Sequence, residues 1–95
     1  MRPAGRSVRL RIGGRVQGVG YRAWMIQQAR ALGLRGWVRN RADGSVEALV
    51  IGDDDAVERM IEASRQGPLG ARVTEVSVSD AEDDGNAGFL ARETV

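Results

Sequence analysis

The first third of the chain changes from a two-residue to a three- or four-residue hydrophobic period. Val8, Leu10 and Ile12 alternate with arginines, which predicts a strand with one buried face. From Tyr21 to Leu32 the apolar residues recur every three or four positions, which predicts a helix that stops at Gly33. The glycine-rich stretch 13–20 between these two elements is predicted to be a loop.

The middle of the chain has the pattern of a β-hairpin followed by a second helix. Trp37-Val38 begins a β-prone stretch, and Asp43-Gly44 separates it from a second predicted strand, Val46–Ile51. Apolar residues then return to helical spacing, and Asp55 with Glu58 three residues later predicts a capping box at the helix start.

The last third predicts the end of this helix and two more strands. Gly67-Pro68 ends the helix, because proline cannot continue its hydrogen-bond ladder. Val73 and Val76 belong to a fourth strand but are out of phase with strict alternation, which predicts a β-bulge between them. The acidic stretch Asp80–Gly88 is expected to be a mobile loop, and Phe89–Ala91 a short last strand.

The predicted order is strand, helix, strand, strand, helix, strand. This order is typical of the α+β ferredoxin-like α/β sandwich, an antiparallel sheet (βαββαβ) with two helices on one face. With 95 residues the chain is expected to form a single domain over residues 1–95, in which residues 1–6 are a flexible tail. Because this fold hosts many unrelated functions, function has to be argued from particular residues.

Composition narrows the possible chemistry. The chain has no cysteine and no histidine, which excludes a disulfide framework, a thiolate nucleophile, cysteine-ligated zinc and an imidazole base. It has no apolar run long enough to span a bilayer and no apolar signal core, so no membrane association and a cytoplasmic location are expected. The net charge of +1 divides into +10 over residues 1–41 and −9 over residues 42–95.

The glycine-rich segment Gly14–Arg22 places main-chain N–H groups, a helix N-terminus and the arginine Arg22 in one short loop. These features together favour an anion site. The segment has neither the nucleotide P-loop pattern nor the spacing of dinucleotide-binding loops. A tight glycine turn with a solvated Arg22 explains the same residues.

A second candidate, Asn40, stands at the end of the predicted second strand, just before the hairpin turn. An asparagine at this position commonly caps the turn with its own side chain, and loop chemistry alone favours that role.

Both segments resemble signatures of one known family. Gly14–Arg22 is similar to the first signature of the acylphosphatase family, and Gly36–Glu47 is similar to its second. Gln66–Pro68 followed by Ala71–Val73 also resembles that family's passage from the second helix into the fourth strand. The resemblance extends from about Val8 to Val78.

The resemblance implies a ferredoxin-like enzyme that hydrolyses the carboxyl-phosphate bond of acyl phosphates, without metal or cofactor, to a carboxylate and inorganic phosphate. It implies that Asn40 orients the attacking water, whose proton is expected to pass to a phosphoryl oxygen of the substrate. It also implies that the phosphoryl oxygens are held by Arg22 and by the backbone N–H groups of Arg15, Val16, Gln17, Gly18, Val19, Gly20 and Tyr21.

Two other functions fit the same fold. One is a nucleic-acid-binding module, which the basic first half favours and the shortage of aromatic residues opposes. The other is a catalytically silent phosphate-binding domain.

For the enzyme that the resemblance implies, the expected partners are a small-molecule acyl phosphate and inorganic phosphate as product. No nucleic acid and no membrane are expected as partners, and the protein is expected to be a monomer.

Overall fold

Seven elements follow one another in the computed structural model, which describes residues 5–95. They are β1 (Gly5–Arg15), α1 (Tyr21–Ala31), β2 (Arg35–Asn40), β3 (Val46–Asp53), α2 (Asp54–Gln66), β4 (Arg72–Asp80) and β5 (Phe89–Ala91). The ferredoxin-like order and the short last strand are confirmed. Of the expected N-terminal tail, residues 1–4 lie outside the described residues, whereas Gly5 and Arg6 already belong to β1.

The five strands form one sheet in the order β4-β1-β3-β2-β5. The four strands β1 to β4 pair in antiparallel fashion, as expected for the βαββαβ sheet, whereas β5 adds an edge that is parallel to β2 and makes the whole sheet mixed. The reason lies in the chain path. After β4 the chain reverses direction, and β2 also runs opposite to β4, so β5 and β2 point the same way.

β1 is longer than its apolar alternation indicates. Gly13, Gly14 and Arg15 were expected in a loop but pair with β4, leaving only residues 16–20 as the connection to α1. The register between β1 and β4 shifts where Gly13 faces Glu75 and Gly14 faces Val73. Thr74 of β4 therefore has no partner residue on β1. The predicted bulge between Val73 and Val76 is therefore confirmed.

The helix ends agree with the sequence patterns at three of four positions. α1 begins at Tyr21 and ends before Gly33, whose φ is +71°, and α2 ends at Gly67, whose φ is +70°. The expected capping box at the start of α2 is wrong, because the cap residue is Asp53 and makes no side-chain cap. The Glu58 carboxylate instead accepts a hydrogen bond from Arg6 of β1.

The main core lies between the helices and one face of the sheet. It takes alternate residues from the central strands, such as Val8 and Leu10 of β1 and Val50 of β3, and it also contains Phe89 of β5. The opposite face of the sheet, called here the outer face, carries no helix within residues 5–95 and buries a small cluster of Trp37, Leu49 and Ile51. This layering leaves the β1–α1 connection and the β2–β3 turn at one end of the sandwich.

Candidate active site

A pocket of about 410 Å³ opens at this end of the sandwich. The β1–α1 loop and the first turns of α1 form most of its wall, and β2 and β5 contribute one residue each. Its lining residues are Val16, Gln17, Gly18, Gly20, Tyr21, Arg22, Ala23, Ile26, Asn40 and Ala91. Arg22 and Asn40, the two residues expected to carry the chemistry, therefore face one cavity.

The loop turns sharply into α1 by means of two glycines. Gly18 has φ +76° and Gly20, the residue that caps α1, has φ +82°, a backbone conformation that L side chains rarely adopt. The cap residue of α1, Gly20, has no side chain to cap the helix, and the first turn holds no acidic residue. Within residues 5–95 the positive end of the helix therefore has neither a side-chain cap nor a first-turn carboxylate, and it is suited to an anion.

Arg22 is an exposed residue in the first turn of α1. Within residues 5–95, six arginines of the basic first half form ion pairs within 4.0 Å, whereas Arg22 forms none. Its guanidinium is consequently free to bind a group that enters the pocket. A planar guanidinium can donate two parallel hydrogen bonds to a phosphoryl group.

Asn40 is the last residue of β2, and its side chain lies on the pocket side of the sheet. The turn-capping role that the sequence favoured belongs instead to Asp43. Its Oδ1 accepts hydrogen bonds from the main-chain N of Ser45 at 2.9 Å and from Ser45 Oγ at 2.6 Å. These contacts leave the Asn40 amide available to the pocket.

Gln17 joins the loop to the β2–β3 turn. Its Nε2 donates to the carbonyl oxygen of Arg41 at 2.8 Å and to that of Ser45 at 2.9 Å. These two hydrogen bonds hold the β1–α1 loop, whose main-chain N–H groups can bind an anion, beside Asn40. The family resemblance assigned Gln17 to the phosphate loop, but this contact was not expected, because the two carbonyls become neighbours only when the hairpin closes.

Two members of the expected phosphate loop do not line the pocket. Arg15 is the last residue of β1 and is paired with Arg72, and Val19 packs against the main core. Tyr21 lines the pocket but donates its hydroxyl to the Ser64 carbonyl at 2.6 Å. Burial raises the pKa of Tyr21 to about 12, so its hydroxyl stays protonated at neutral pH.

Within residues 5–95 there is no group of three or more acidic, histidine or cysteine residues that could hold a metal ion. In the same part of the chain, no helix is both long and apolar enough to cross a bilayer. The fold and this pocket define a small α+β sandwich in which an anion can be held where the first strand meets the first helix.

Comparison with known proteins gives a consistent result. The family model described as Acylphosphatase matches residues 8–90. An acylphosphatase from Acidiphilium cryptum is 54% identical over 83 residues, which are 87% of this chain and 91% of that protein. The crystal structure of an acylphosphatase from Bacillus subtilis superposes with a TM-score of 0.87 at 37% identity, covering 90% of this chain and 97% of that one. An acylphosphatase structure from Coxiella burnetii gives a TM-score of 0.89 at 30% identity, covering 93% of each chain.

The chain belongs to the acylphosphatase family. It is an enzyme of this type, with an acyl phosphate as substrate and inorganic phosphate as a product. This membership favours the enzyme over the silent phosphate-binding domain.

Proposed function

We propose that residues 16–22, which form the β1–α1 loop and the start of α1, hold the phosphoryl group of the acyl phosphate while Asn40 orients the attacking water. The observation that carries this proposal is that an arginine without an ion pair, Arg22, shares one pocket with Asn40 at an uncapped helix N-terminus. The loop N–H groups and the guanidinium would neutralise charge on the phosphoryl oxygens, which in phosphoryl transfer is most of the catalytic task.

The reaction needs no strong nucleophile. The water oxygen attacks phosphorus, the bond between phosphorus and the acyl oxygen breaks, and its electron pair leaves with the carboxylate. Because a carboxylate is a good leaving group, fixing the water in line with that bond supplies much of the acceleration. Asn40 would accept a hydrogen bond from the water through its amide oxygen.

The water's proton passes to a phosphoryl oxygen of the substrate in this proposal. The ten residues that line the pocket include no carboxylate that could accept the proton. The Tyr21 hydroxyl donates its hydrogen bond to the Ser64 carbonyl, and its pKa of about 12 keeps it protonated, so it does not act as the base. A pH–rate profile controlled by a carboxylate of the enzyme would contradict this step.

The acyl group would lie along the apolar wall of the pocket. Ala23 and Ile26 lie one turn apart on α1, and Ala91 of β5 completes this wall. The cavity of about 410 Å³ exceeds what a phosphoryl group alone fills, which leaves space for an acyl group.

The test is hydrolysis of benzoyl phosphate in EDTA by the wild type, Arg22→Ala and Asn40→Ala. We expect Arg22→Ala to lose both phosphate inhibition and turnover. Asn40→Ala should keep phosphate inhibition but lose on the order of 10²-fold in kcat, as when one preorganised polar group is removed. Arg59→Ala, an exposed arginine on α2 away from the pocket, is the matched control and should retain full activity.

Unchanged kcat in Asn40→Ala would refute the water-orienting role. Unchanged phosphate inhibition in Arg22→Ala would refute the assignment of the phosphoryl group to this loop. The two results are independent, so each residue's role is tested separately.

We also propose that the enzyme acts as a cytoplasmic monomer that does not bind nucleic acid. The outer face supports the last point, because its tryptophan, Trp37, is only 6% exposed. The guanidinium carbons of Arg39 and Arg92 lie 4.7 and 5.5 Å from the Trp37 ring centroid, so these arginines compete with a base for contact with the ring. Light scattering, cell fractionation and a salt-dependent RNA-binding assay test the three parts.

A further inference from the structure

Glu47 of β3 is a buried carboxylate outside the main core. Its neighbours in sequence, Val46 and Ala48, face the helices, so alternation places Glu47 on the outer face of the sheet, where it is only 2% exposed. A carboxylate removed from water to this degree is stable only when cations and hydrogen bonds replace its solvation.

Three arginines supply that replacement. Glu47 Oε1 accepts hydrogen bonds from Arg39 Nε and from Arg41 Nη1, both at 2.9 Å. Arg9 of β1 brings its Nε to 3.6 Å from Glu47 Oε2. Burial alone would raise the pKa of Glu47, but the hydrogen bonds from Arg39 and Arg41 and the positive charges of these two residues together outweigh burial, and the pKa lies below its ordinary value. Glu47 is therefore charged at neutral pH.

The two arginines that share Glu47 Oε1 are the residues immediately before and after Asn40. Because side chains alternate along a strand, Arg39 and Arg41 point to the outer face while Asn40 points to the pocket. The ladder between β2 and β3 ends at the pair of Asn40 with Val46, so Arg41 lies just beyond it. One carboxylate oxygen thus holds the chain on both sides of Asn40 from the reverse face of the sheet.

We propose that Glu47 is a positioning residue for the hydrolysis, because it fixes the end of β2 and thereby the direction of the Asn40 amide. This inference rests on the proposed water-orienting role of Asn40. Without the carboxylate, the guanidinium groups of Arg9, Arg39 and Arg41 repel one another, and the strand end that carries Asn40 shifts. A displacement of about 1 Å at a catalytic group is enough to cost on the order of 10²-fold in rate.

The first experiment replaces the charge with a neutral side chain of the same shape, Glu47→Gln. We expect kcat for benzoyl phosphate to fall about 10-fold or more, because the water is misplaced. The inhibition constant of inorganic phosphate should stay within about twofold of wild type, because no residue of the β1–α1 loop is replaced and Gln17 keeps its hydrogen bond to the Ser45 carbonyl. A general loss of structure would instead weaken phosphate inhibition along with turnover.

Asp83→Asn is the matched control. Asp83 pairs with Arg35, which lies on the same strand as Asn40 but at its opposite end. Both substitutions remove an acid that holds an arginine of β2, but only Glu47 holds residues beside Asn40. Asp83→Asn should leave kcat unchanged, and an equal loss in both variants would overturn the inference.

The decisive measurement is a double-mutant cycle with Asn40→Ala. If Glu47 acts through Asn40, then Glu47→Gln costs nothing further once the Asn40 amide is gone. If the two losses in kcat multiply, Glu47 acts by another route and the inference is wrong. Should Glu47→Gln fail to fold, Arg41→Met replaces it, since Glu47 then keeps Arg39 and Arg9, and the same non-additivity with Asn40→Ala is required.

Failure of this inference is distinguishable from failure of the proposed function. If Asn40→Ala itself retains the wild-type kcat, the water-orienting role is wrong. If Asn40→Ala is impaired while Glu47→Gln is fully active, only the role of Glu47 is wrong.

Discussion

Individual arginines differ chiefly in what their guanidinium groups contact. Arg6 pairs with acids of α2, Arg35 with Asp83, and Arg11 with Asp43, so much of the basic first half is neutralised by the acidic second half. Ion pairs within the fold therefore account for much of the charge asymmetry of the sequence, and this asymmetry does not by itself indicate a polyanionic partner. Arg22 is the contrasting case, because it faces a pocket whose described lining residues include no carboxylate.

Arg22→Lys tests whether the shape of the charge matters. Lysine keeps the positive charge but has a point-like ammonium in place of a planar fork, so it cannot form two parallel hydrogen bonds to the phosphoryl group. We expect kcat/KM for benzoyl phosphate to fall at least about 10-fold, a loss of about 1.4 kcal/mol of transition-state stabilisation. Steady-state kinetics measure this, and wild-type values in Arg22→Lys would show that charge alone suffices.

The pH dependence of stability tests the charged state of Glu47. Its pKa in the folded protein is below its ordinary value of 4.5, so it contributes stability above pH 4.5 and loses that contribution as the pH falls through the lower, folded pKa. We expect Glu47→Gln to be less stable than wild type at pH 7 and the difference to shrink in acid. Urea unfolding of both proteins at pH 7, 5, 4 and 3, values that roughly span the titration of Glu47, measures this difference in the free energy of unfolding.

Asp43 and Asp83 also have lowered pKa values, because hydrogen bonds from Ser45 and from Arg35, respectively, stabilise their charged forms. They titrate in both proteins, so the difference between wild type and Glu47→Gln isolates Glu47. A difference that does not change with pH would show that Glu47 contributes through packing instead of charge.

At the scale of secondary-structure elements, the pocket depends on how the β1–α1 loop meets the β2–β3 turn. Gly18 and Gly20 determine the backbone conformation of the loop, and the hydrogen bond accepted by Asp43 stabilises the turn. Gln17 sets the distance between the loop and the turn, because its side chain donates to a carbonyl of the turn. Each element is thus shaped locally, whereas the site exists only when they are joined.

Gln17→Ala should loosen this joint. The carbonyls of Arg41 and Ser45 each lose one donor, so we expect a loss of about 1 kcal/mol in the free energy of unfolding and a lower kcat/KM. Gln27→Ala, which removes an exposed glutamine from α1, is the control and should change neither quantity appreciably. Urea unfolding and benzoyl phosphate kinetics measure both effects, and unchanged kinetics would show that the loop needs no tether.

The elements that the sequence predicted correctly are those determined by neighbouring residues. The period of α1, the Asp43-Gly44 hairpin and the phase break in β4 are all visible within a short window of sequence. The extension of β1 to Arg15 and the parallel pairing of β5 were missed, because each depends on a partner strand dozens of residues away. The tether of Gln17 and the arginines around Glu47 were missed for the same reason, since cross-strand neighbours cannot be identified before the register is known.

At the scale of the whole molecule, the pocket joins distant parts of the chain. Its lining runs from Val16 to Ala91 and involves the β1–α1 loop, α1, β2 and β5. A ligand that contacts all of them binds the folded chain and not the unfolded one, so binding and folding are thermodynamically linked.

Inorganic phosphate should therefore protect the protein against heat. At a concentration of about 100 times its Kd, linkage gives about 2.7 kcal/mol of added stability, and each kcal/mol raises the Tm of a domain of this size by about 4–8 °C. Arg22→Ala should show no such shift. Thermal unfolding with phosphate and with sodium chloride at equal ionic strength measures the effect, and equal shifts in both salts would show ionic strength to be the cause.

The bulge in β4 has a consequence for how copies of the protein meet in solution. β4 is the outermost strand on its side of the sheet and is largely exposed, so its free backbone edge is a potential template for the sheet of another copy. The extra residue at Thr74 breaks the regular spacing of this edge, and Arg72, Glu75 and Asp80 set charges along it. A neighbouring sheet would have to match an irregular, charged edge, so this edge disfavours the pairing of two copies through β4.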